Sequence, residues 1–91
     1  MLRFEWDPEK AGVNVEKHGI SFEDAATVFS DPLADTFPDI DHLENEDRYI
    51  TIGISSKGTI LVVVFTEKNS IIRIITARRA TNMERRYYEN G

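Results

Sequence analysis

The stretch DRYITIGISSKGTILVVVFT, residues 47–66, decides the fold because it contains two strands and the turn between them. In residues 47–55, isoleucine occupies every second position from 50 to 54, which is the period of a strand with one face toward a core. Residues 59–66 are apolar at both alternating sets of positions, which is typical of a central strand that is covered on both faces. Residues 56–58 form the turn. The sequence therefore predicts an antiparallel pair with its second strand inside the sheet.

Further elements follow on the C-terminal side. A turn at residues 67–70 leads into a third strand, residues 71–77, so that the three strands form an antiparallel meander. Thr81 and Glu84 have the spacing of a capping box and predict the start of a C-terminal helix. Met83 and Tyr87 lie one turn apart on that helix and are expected to dock on the sheet. A weaker fourth strand is predicted at residues 34–38.

The N-terminal part predicts a short strand and two helices. Residues 2–6 alternate as a strand does, and Asp7 followed by Pro8 is a helix start, because the carboxylate caps free amides and proline loses no hydrogen bond at the first position. Gly19 ends this helix. Ser21 begins a second helix, which the Asp-Pro dipeptide at 31–32 ends. Four apolar residues at helical spacing are expected to face the core: Phe22, Ala25, Ala26 and Phe29.

These elements predict an α+β fold in a single domain spanning residues 1–91. There are no cysteines, which excludes disulfides and thiolate metal sites. No apolar run approaches the roughly 20 residues that cross a bilayer. The charged start, MLRFEWDPEK, is unlike a signal peptide. We therefore expect a cytoplasmic protein without membrane contact.

Charge is distributed unevenly along the chain, whose net charge is −5. Residues 71–91 contain five basic and two acidic residues, a net charge of +3, whereas residues 1–70 contain six basic and fourteen acidic residues, a net charge of −8. Residues 31–47 alone contain seven acids and no Lys or Arg. This acidic stretch either docks a basic partner or is a solvated loop, to which His42 also belongs. The basic C-terminal part suggests contact with an anionic partner.

Four stretches together resemble one known family. They are WDPEKAGVNVEKHGISFEDAATVF (residues 6–29), DRYITIGIS (47–55), LVVVFTE (61–67) and IRIITARRAT (72–81), and they are similar to BrnT-like toxins of bacterial type II toxin–antitoxin modules. The resemblance covers essentially the whole chain, with the motifs in matching order and spacing. It implies a RelE-like fold: a short N-terminal strand, two helices, an antiparallel meander of three to four strands and a C-terminal helix.

The resemblance also implies a function and a partner. The chain is expected to be an endoribonuclease that inhibits translation and growth, acting without a metal ion or other cofactor. A BrnA-like antitoxin with a ribbon-helix-helix segment is expected to neutralise it in a 2:2 heterotetramer, and DNA would be contacted only through that antitoxin. The alternative is a catalytically inactive module that binds the antitoxin and modulates repression of the operon.

The arginines are the first candidates for the chemistry of RNA cleavage. Arg73 lies in a predicted strand between two isoleucines that face the other way, which indicates a sheet face that is not fully buried. Clustered arginine is typical of phosphate binding, because the planar guanidinium matches phosphate oxygens and stays charged. We predict that Arg73 and Arg78 are catalytic and that Arg48 and Arg79 bind RNA. The alternative is that these residues form salt bridges with acidic neighbours or protect a sheet edge.

The first helix carries a second basic stripe. Lys10 and Lys17 lie on the same side of the helix as Asn14, and His18 borders this side. Histidine is the side chain that titrates nearest neutrality, so we predict that His18 is the general base or acid and that Lys10 and Lys17 bind RNA. The alternative for His18 is a structural role at the end of the helix, where it satisfies terminal carbonyl groups.

Overall fold

The computed structural model describes residues 2–40 and 47–91. His42 lies outside these ranges. The elements, in chain order, are β1 (Arg3–Glu5), α1 (Pro8–His18), α2 (Phe22–Ala26), a 3₁₀ turn (Thr27–Ser30), β2 (Asp35–Pro38), β3 (Arg48–Ile54), β4 (Ile60–Lys68), β5 (Ile71–Arg79) and α3 (Asn82–Asn90). Within the described ranges, no helix is long and apolar enough to cross a membrane.

The strands form one five-stranded sheet in the order β1-β5-β4-β3-β2. The pairs β2–β3, β3–β4 and β4–β5 are antiparallel, whereas β1 pairs with β5 in parallel, so the sheet is mixed. The predicted α+β class is confirmed, and β4 lies in the middle, as its apolar sequence predicts. The parallel edge strand is a feature that the predicted antiparallel meander did not include.

The first two helices pack on one face of the sheet, here called the helix face. Ten buried apolar residues form the core between them: Ile20, Phe22, Ala25, Val28, Leu61, Val63, Phe65, Ile72, Ile74 and Ala77. The predicted apolar stripe of the second helix contributes to this core, with two residues buried and two partly buried. This segment is shorter than predicted as an α-helix, because from Thr27 it continues as a 3₁₀ turn.

A β-bulge in β5 changes which residues share a face. Phe65 pairs with Ile74 and Val64 pairs with Thr76, so Ile75 is the extra residue. Side chains normally alternate along a strand, and residues five positions apart would lie on opposite faces. Because of the bulge, Arg73 and Arg78 both lie on the face away from α1 and α2, here called the open face.

All three predicted helix starts are confirmed, and at the second of them the Ser21 hydroxyl accepts a hydrogen bond from the Asp24 N–H at 3.0 Å. The Asp7 carboxylate accepts a hydrogen bond from the Glu9 N–H at 2.9 Å, and Thr81 and Glu84 form the reciprocal capping box of α3. Gly19 ends α1 with a positive φ of 70°. The expected docking of Met83 is wrong, because its side chain is 79% exposed.

The C-terminal helix is fixed instead by polar contacts. The Tyr88 hydroxyl donates to Asp31 Oδ2 at 2.5 Å, and the Tyr87 hydroxyl donates to Asp35. Hydrogen bonding to Asp31 raises the pKa of Tyr88 to about 12. Desolvation opposes ionisation of Asp31, but hydrogen bonds from the Ile54 N–H, Tyr88 and the Leu33 N–H outweigh it and hold its pKa below the ordinary value. These contacts place α3 over one end of the open face.

We expect Gly53→Ala to destabilise the fold, because the new Cβ would lie 2.8 Å from Val28 Cγ1 and 2.9 Å from Ala34 Cβ. The loss in the free energy of unfolding should be roughly 1–3 kcal/mol, measured by urea denaturation. Gly12→Ala is the matched control: a Cβ there meets nothing within 4 Å, and alanine is the better helix former. A Gly53→Ala midpoint equal to that of the wild type would contradict this account of the packing.

Candidate functional site

Asn14 joins the first helix to the edge of the sheet. Strand β1 pairs with β5 only as far as Arg73, which leaves the later part of that edge without a partner strand among the described residues. The Asn14 amide takes its place: Nδ2 donates to the Ala77 carbonyl at 2.8 Å, and Oδ1 accepts from the Ala77 N–H at 3.1 Å. Nδ2 also donates to the Ile20 carbonyl at 2.9 Å. Asn14 is buried, so these bonds fix the distance between α1 and β5.

A groove of about 330 Å³ lies between α1 and β5, here called the basic groove. It is lined by Glu9, Lys10, Val13, Asn14, Lys17, His18, Ile75 and Thr76. The structure therefore brings together three of the predicted site residues. Within residues 2–40 and 47–91, the side chains of Lys10, Lys17 and His18 make no hydrogen bond or ion pair. Two lysines against one lining glutamate give the groove a positive charge that is available to a ligand.

Three of the predicted arginines, Arg48, Arg73 and Arg78, lie on the open face, in rows of side chains that run across the strands. Cross-strand partners share a face, so the pairings Glu5–Arg73, Arg73–Thr66 and Thr66–Arg48 define one row across four strands. Arg73 Nη1 lies 2.6 Å from Glu5 Oε2, with both side chains about half exposed. Arg48 Nε lies 3.1 Å from Asp39 Oδ2, whose side chain is only 6% exposed. The two arginines are thus paired, one at the surface and one against a buried carboxylate.

Arg78 is held more firmly. Its two terminal nitrogens donate to the two Glu84 oxygens at 2.8 and 2.9 Å, a bidentate pair that links β5 to the first turn of α3. The hydrogen bond to Arg78, with smaller help from the Thr81 N–H, lowers the pKa of Glu84 to about 2. The same hydrogen bond raises the pKa of Arg78. Glu84 thus serves both the helix cap and the arginine.

Arg79 lies on the helix face, away from the other arginines. It pairs across the sheet with Leu61, a core residue, and its Nη1 donates to the His18 carbonyl at 3.2 Å. A cation at this position satisfies the free carbonyl end of α1 and interacts favourably with the helix dipole. The predicted site residues therefore occupy three places: the basic groove, the open face and the end of α1.

Thr76 connects the basic groove to the open face. It lines the groove and is the cross-strand partner of Val64 on the open face. Arg73 precedes it by three residues, which corresponds to roughly 10 Å along a strand. The sequence gives no signal for Thr76, because its position depends on the bulge at Ile75. Glu5 was also missed, since a parallel strand that pairs across 68 residues leaves no local pattern.

Among the described residues, no three His, Asp or Glu side chains form a group that could hold a metal ion. The polar groups that face the basic groove are ammonium, imidazole, amide and hydroxyl groups, together with the carboxylate of Glu9. Ammonium and imidazolium groups suit phosphate oxygens, and imidazole can also move a proton.

The fold and this surface define a small α+β protein with a cationic groove, of the kind that can bind an anionic polymer. The chain belongs to the BrnT family, the ribonuclease toxins of type II toxin–antitoxin systems, which it matches over residues 6–84. The resemblance seen in the sequence is thereby confirmed. Membership implies a ribonuclease toxin with an antitoxin partner.

A solved structure agrees with this assignment. The chain is similar to the crystal structure of the Brucella abortus ribonuclease toxin BrnT, with 28% sequence identity and a TM-score of 0.70. The match covers 90% of this chain and 100% of the Brucella chain. No curated protein matches the sequence.

We expect Glu84→Gln to destabilise the protein near neutral pH by about 1–2 kcal/mol, after discounting for the partial exposure of the pair. Glutamine keeps an acceptor for the capping box, so the variant isolates the charge. Because the folded pKa of about 2 lies below the ordinary 4.5, this stabilisation is present above pH 4.5 and is lost as the pH falls toward 2.

The measurement is the free energy of unfolding of Glu84→Gln and wild type in urea at several pH values. Glu89→Gln, an exposed glutamate on the same helix, is the control for a general loss of negative charge. A difference between Glu84→Gln and wild type that stays constant from pH 7 to pH 2.5 would show that the ionic pair does not contribute as described.

Proposed function

We propose that this toxin cleaves RNA without a metal ion, with the substrate lying along the basic groove and reaching Arg73. The observation that carries the proposal is that Lys10, Lys17 and His18 line one groove without partners among the described residues. Unpaired cations can accept phosphates without first losing an internal ion pair. The predicted arginines of the open face are each held in an ion pair instead, and of the cations in the next row on that face, Arg3 and Lys68 make no ion pair with a described residue.

In this proposal His18 moves the proton. Cleavage joins the ribose 2′-oxygen to phosphorus and breaks the bond from phosphorus to the 5′-oxygen, so a base must accept the 2′-hydroxyl proton and an acid must protonate the leaving oxygen. A ring nitrogen of His18 can accept or donate the proton in one of these steps, and solvent water exchanges the proton in the other. Lys10 and Lys17 hold neighbouring phosphates through charge.

Arg73 stabilises the charge that develops on the phosphate. Its ion pair with Glu5 is exposed, and such pairs contribute about 0–1 kcal/mol, so a phosphate can replace the carboxylate at little cost. A catalytic role for Arg78 requires it to leave a bidentate pair, and RNA binding by Arg48 requires it to leave Asp39. These roles, and RNA binding by Arg79, stay predictions.

The biological part of the proposal follows the family. We propose that cleavage inhibits translation in the cytoplasm, that the fold is RelE-like and that a BrnA-like ribbon-helix-helix antitoxin neutralises the toxin in a 2:2 complex. DNA would then be contacted only by the antitoxin. These proposals are supported by membership in a type II toxin family.

Cleavage of a defined RNA by the purified chain in EDTA tests the enzyme. We expect His18→Ala and Arg73→Ala each to lower the cleavage rate about a hundredfold, the usual effect of losing one transition-state contact. Arg86→Ala removes an arginine of α3 that does not line the basic groove and should cleave at the wild-type rate. Wild-type rates for both His18→Ala and Arg73→Ala, with folding intact, would remove these residues from the mechanism.

A second candidate function is the inactive antitoxin-binding module. The ion pairs of Arg48, Arg73 and Arg78 with Asp39, Glu5 and Glu84 favour it, because arginines neutralised within the chain are not free for a substrate. Growth of cells that express the chain alone separates the two functions. Normal growth with soluble, folded protein would support the module.

The Glu5→Gln variant tests whether an RNA phosphate competes with Glu5 for Arg73. If phosphate competes with Glu5 for this arginine, removing the carboxylate charge should lower KM for RNA several-fold in the cleavage assay. Glu67→Gln is the control for net charge. Glu67 is an exposed residue of β4 that lies on the helix face, where it pairs with Ile72. Equal KM values for Glu5→Gln and Glu67→Gln would contradict competition at Arg73.

A further inference from the structure

Besides the basic groove, the structure contains a hollow at the end of the open face over which α3 lies, between α3 and the strands β2 and β3. Its volume is about 600 Å³, and we call it the α3 hollow. It is lined by Asp35, Phe37, Ile52, Met83, Glu84 and Tyr87. Three of these residues expose large apolar surface: Met83 is 79% exposed, Tyr87 50% and Phe37 36%.

The polar contacts of α3 keep this hollow open. The helix covers Ile52 and Val62, which are each 4% exposed, but the next row, Phe37–Ile50–Val64, stays only partly covered. The hydroxyl of Tyr87 bonds to Asp35, and Glu84 bonds to Arg78, so both ends of this part of the helix are tied to the sheet. The apolar side chains therefore surround a preformed surface that residues 2–40 and 47–91 do not fill.

The charge around the α3 hollow indicates the chemistry of its occupant. Asp35 and Glu84 line it, Glu84 as the partner of Arg78, and no Lys or Arg of the described residues is among its lining side chains. An RNA phosphate would be repelled here, whereas Lys and Arg side chains around an apolar contact would be attracted. A protein segment fits this combination.

We propose that the α3 hollow is the docking site of the antitoxin, and that the antitoxin segment seated there presents apolar side chains flanked by Lys or Arg. The proposal rests on the proposed function, in which this toxin has an antitoxin partner. It adds a location and a chemistry for the contact. The side chains of Met83 and Phe37 are the central apolar contacts, and Asp35 is the acidic group at the margin.

The location also explains how docking could silence the toxin. The half-covered row Phe37–Ile50–Val64 leads from the hollow toward the row that contains Arg48 and Arg73. The row Phe37–Ile50–Val64 itself ends at Thr76, which lines the basic groove. An antitoxin that continues across this face would cover Arg73 and one wall of the groove, and so block RNA without entering the groove itself.

The test is the Kd of the purified BrnA-like antitoxin from the same operon for toxin variants, measured by calorimetry. We expect Met83→Lys and Phe37→Lys each to weaken binding at least about tenfold, because each replaces an apolar contact and adds a charge that repels basic side chains. Met83 is exposed on α3, so its replacement leaves the fold intact. Val15→Lys makes the same change at an exposed residue of α1, on the helix face, and should bind as the wild type does.

The RNA cleavage assay separates this proposal from the proposed function. Free Met83→Lys should cleave at the wild-type rate while the antitoxin no longer inhibits it at concentrations that silence the wild type. If no variant or wild type cleaves RNA, the enzyme proposal fails, but the Kd values still decide the docking site. Wild-type affinity of both Met83→Lys and Phe37→Lys would overturn the proposal. It would also be overturned if the toxin alone forms a dimer that Met83→Lys dissociates, because a second copy would then occupy the hollow.

Discussion

Three hydrogen bonds from one buried amide determine where the working surface of this protein lies. Strand β1 is three residues long and leaves part of the β5 edge uncovered. Asn14 satisfies the Ala77 backbone there and at the same time holds the carbonyl of Ile20, beyond the end of its own helix. An aliphatic residue at this position would leave buried peptide groups without partners, which is costly. The amide therefore replaces a strand, and the space beside it becomes the basic groove.

The basic C-terminal part of the sequence suggests a binding surface for an anionic partner, but in the structure many of its charges have partners within the chain. Three of the five arginines in the basic C-terminal part have partners within the chain, whereas Arg85 and Arg86 of α3 have none among the described residues. Arg73 meets Glu5 and Arg78 meets Glu84, while Arg79 neutralises the end of a helix. The unpaired cations of the groove come instead from α1, in the acidic part of the chain. Positive charge in the C-terminal part thus stabilises the fold through three of its arginines, and the cations of the first helix are available for binding.

Local patterns predicted much of the fold. Helix caps at Asp7 and Thr81 depend on residues three positions apart or fewer, and the central position of β4 follows from its own apolar composition, so both could be read from the sequence. Relations between distant segments could not. The bulge at Ile75 is set by how β4 and β5 pack, and the partner of Arg73 is 68 residues away.

In the candidate site, too, local spacing could be read from the sequence, whereas contacts between distant segments could not. The grouping of Lys10, Lys17 and His18 follows from helical spacing alone, because at about 3.6 residues per turn these positions lie on one side of α1. The wall opposite them, Ile75 and Thr76, is supplied by β5, and only the folded sheet defines it. Sequence could therefore indicate the residues of one wall but not the cavity that they help to form.

The connection between Asn14 and Ala77 also has a consequence for biosynthesis. The two residues are 63 positions apart, so a nascent chain cannot make this contact until translation has passed residue 77. The hydroxyls that fix the last helix likewise reach back 52 and 57 positions. A toxin chain that is cut short before residue 77 would thus lack the contact that assembles the groove.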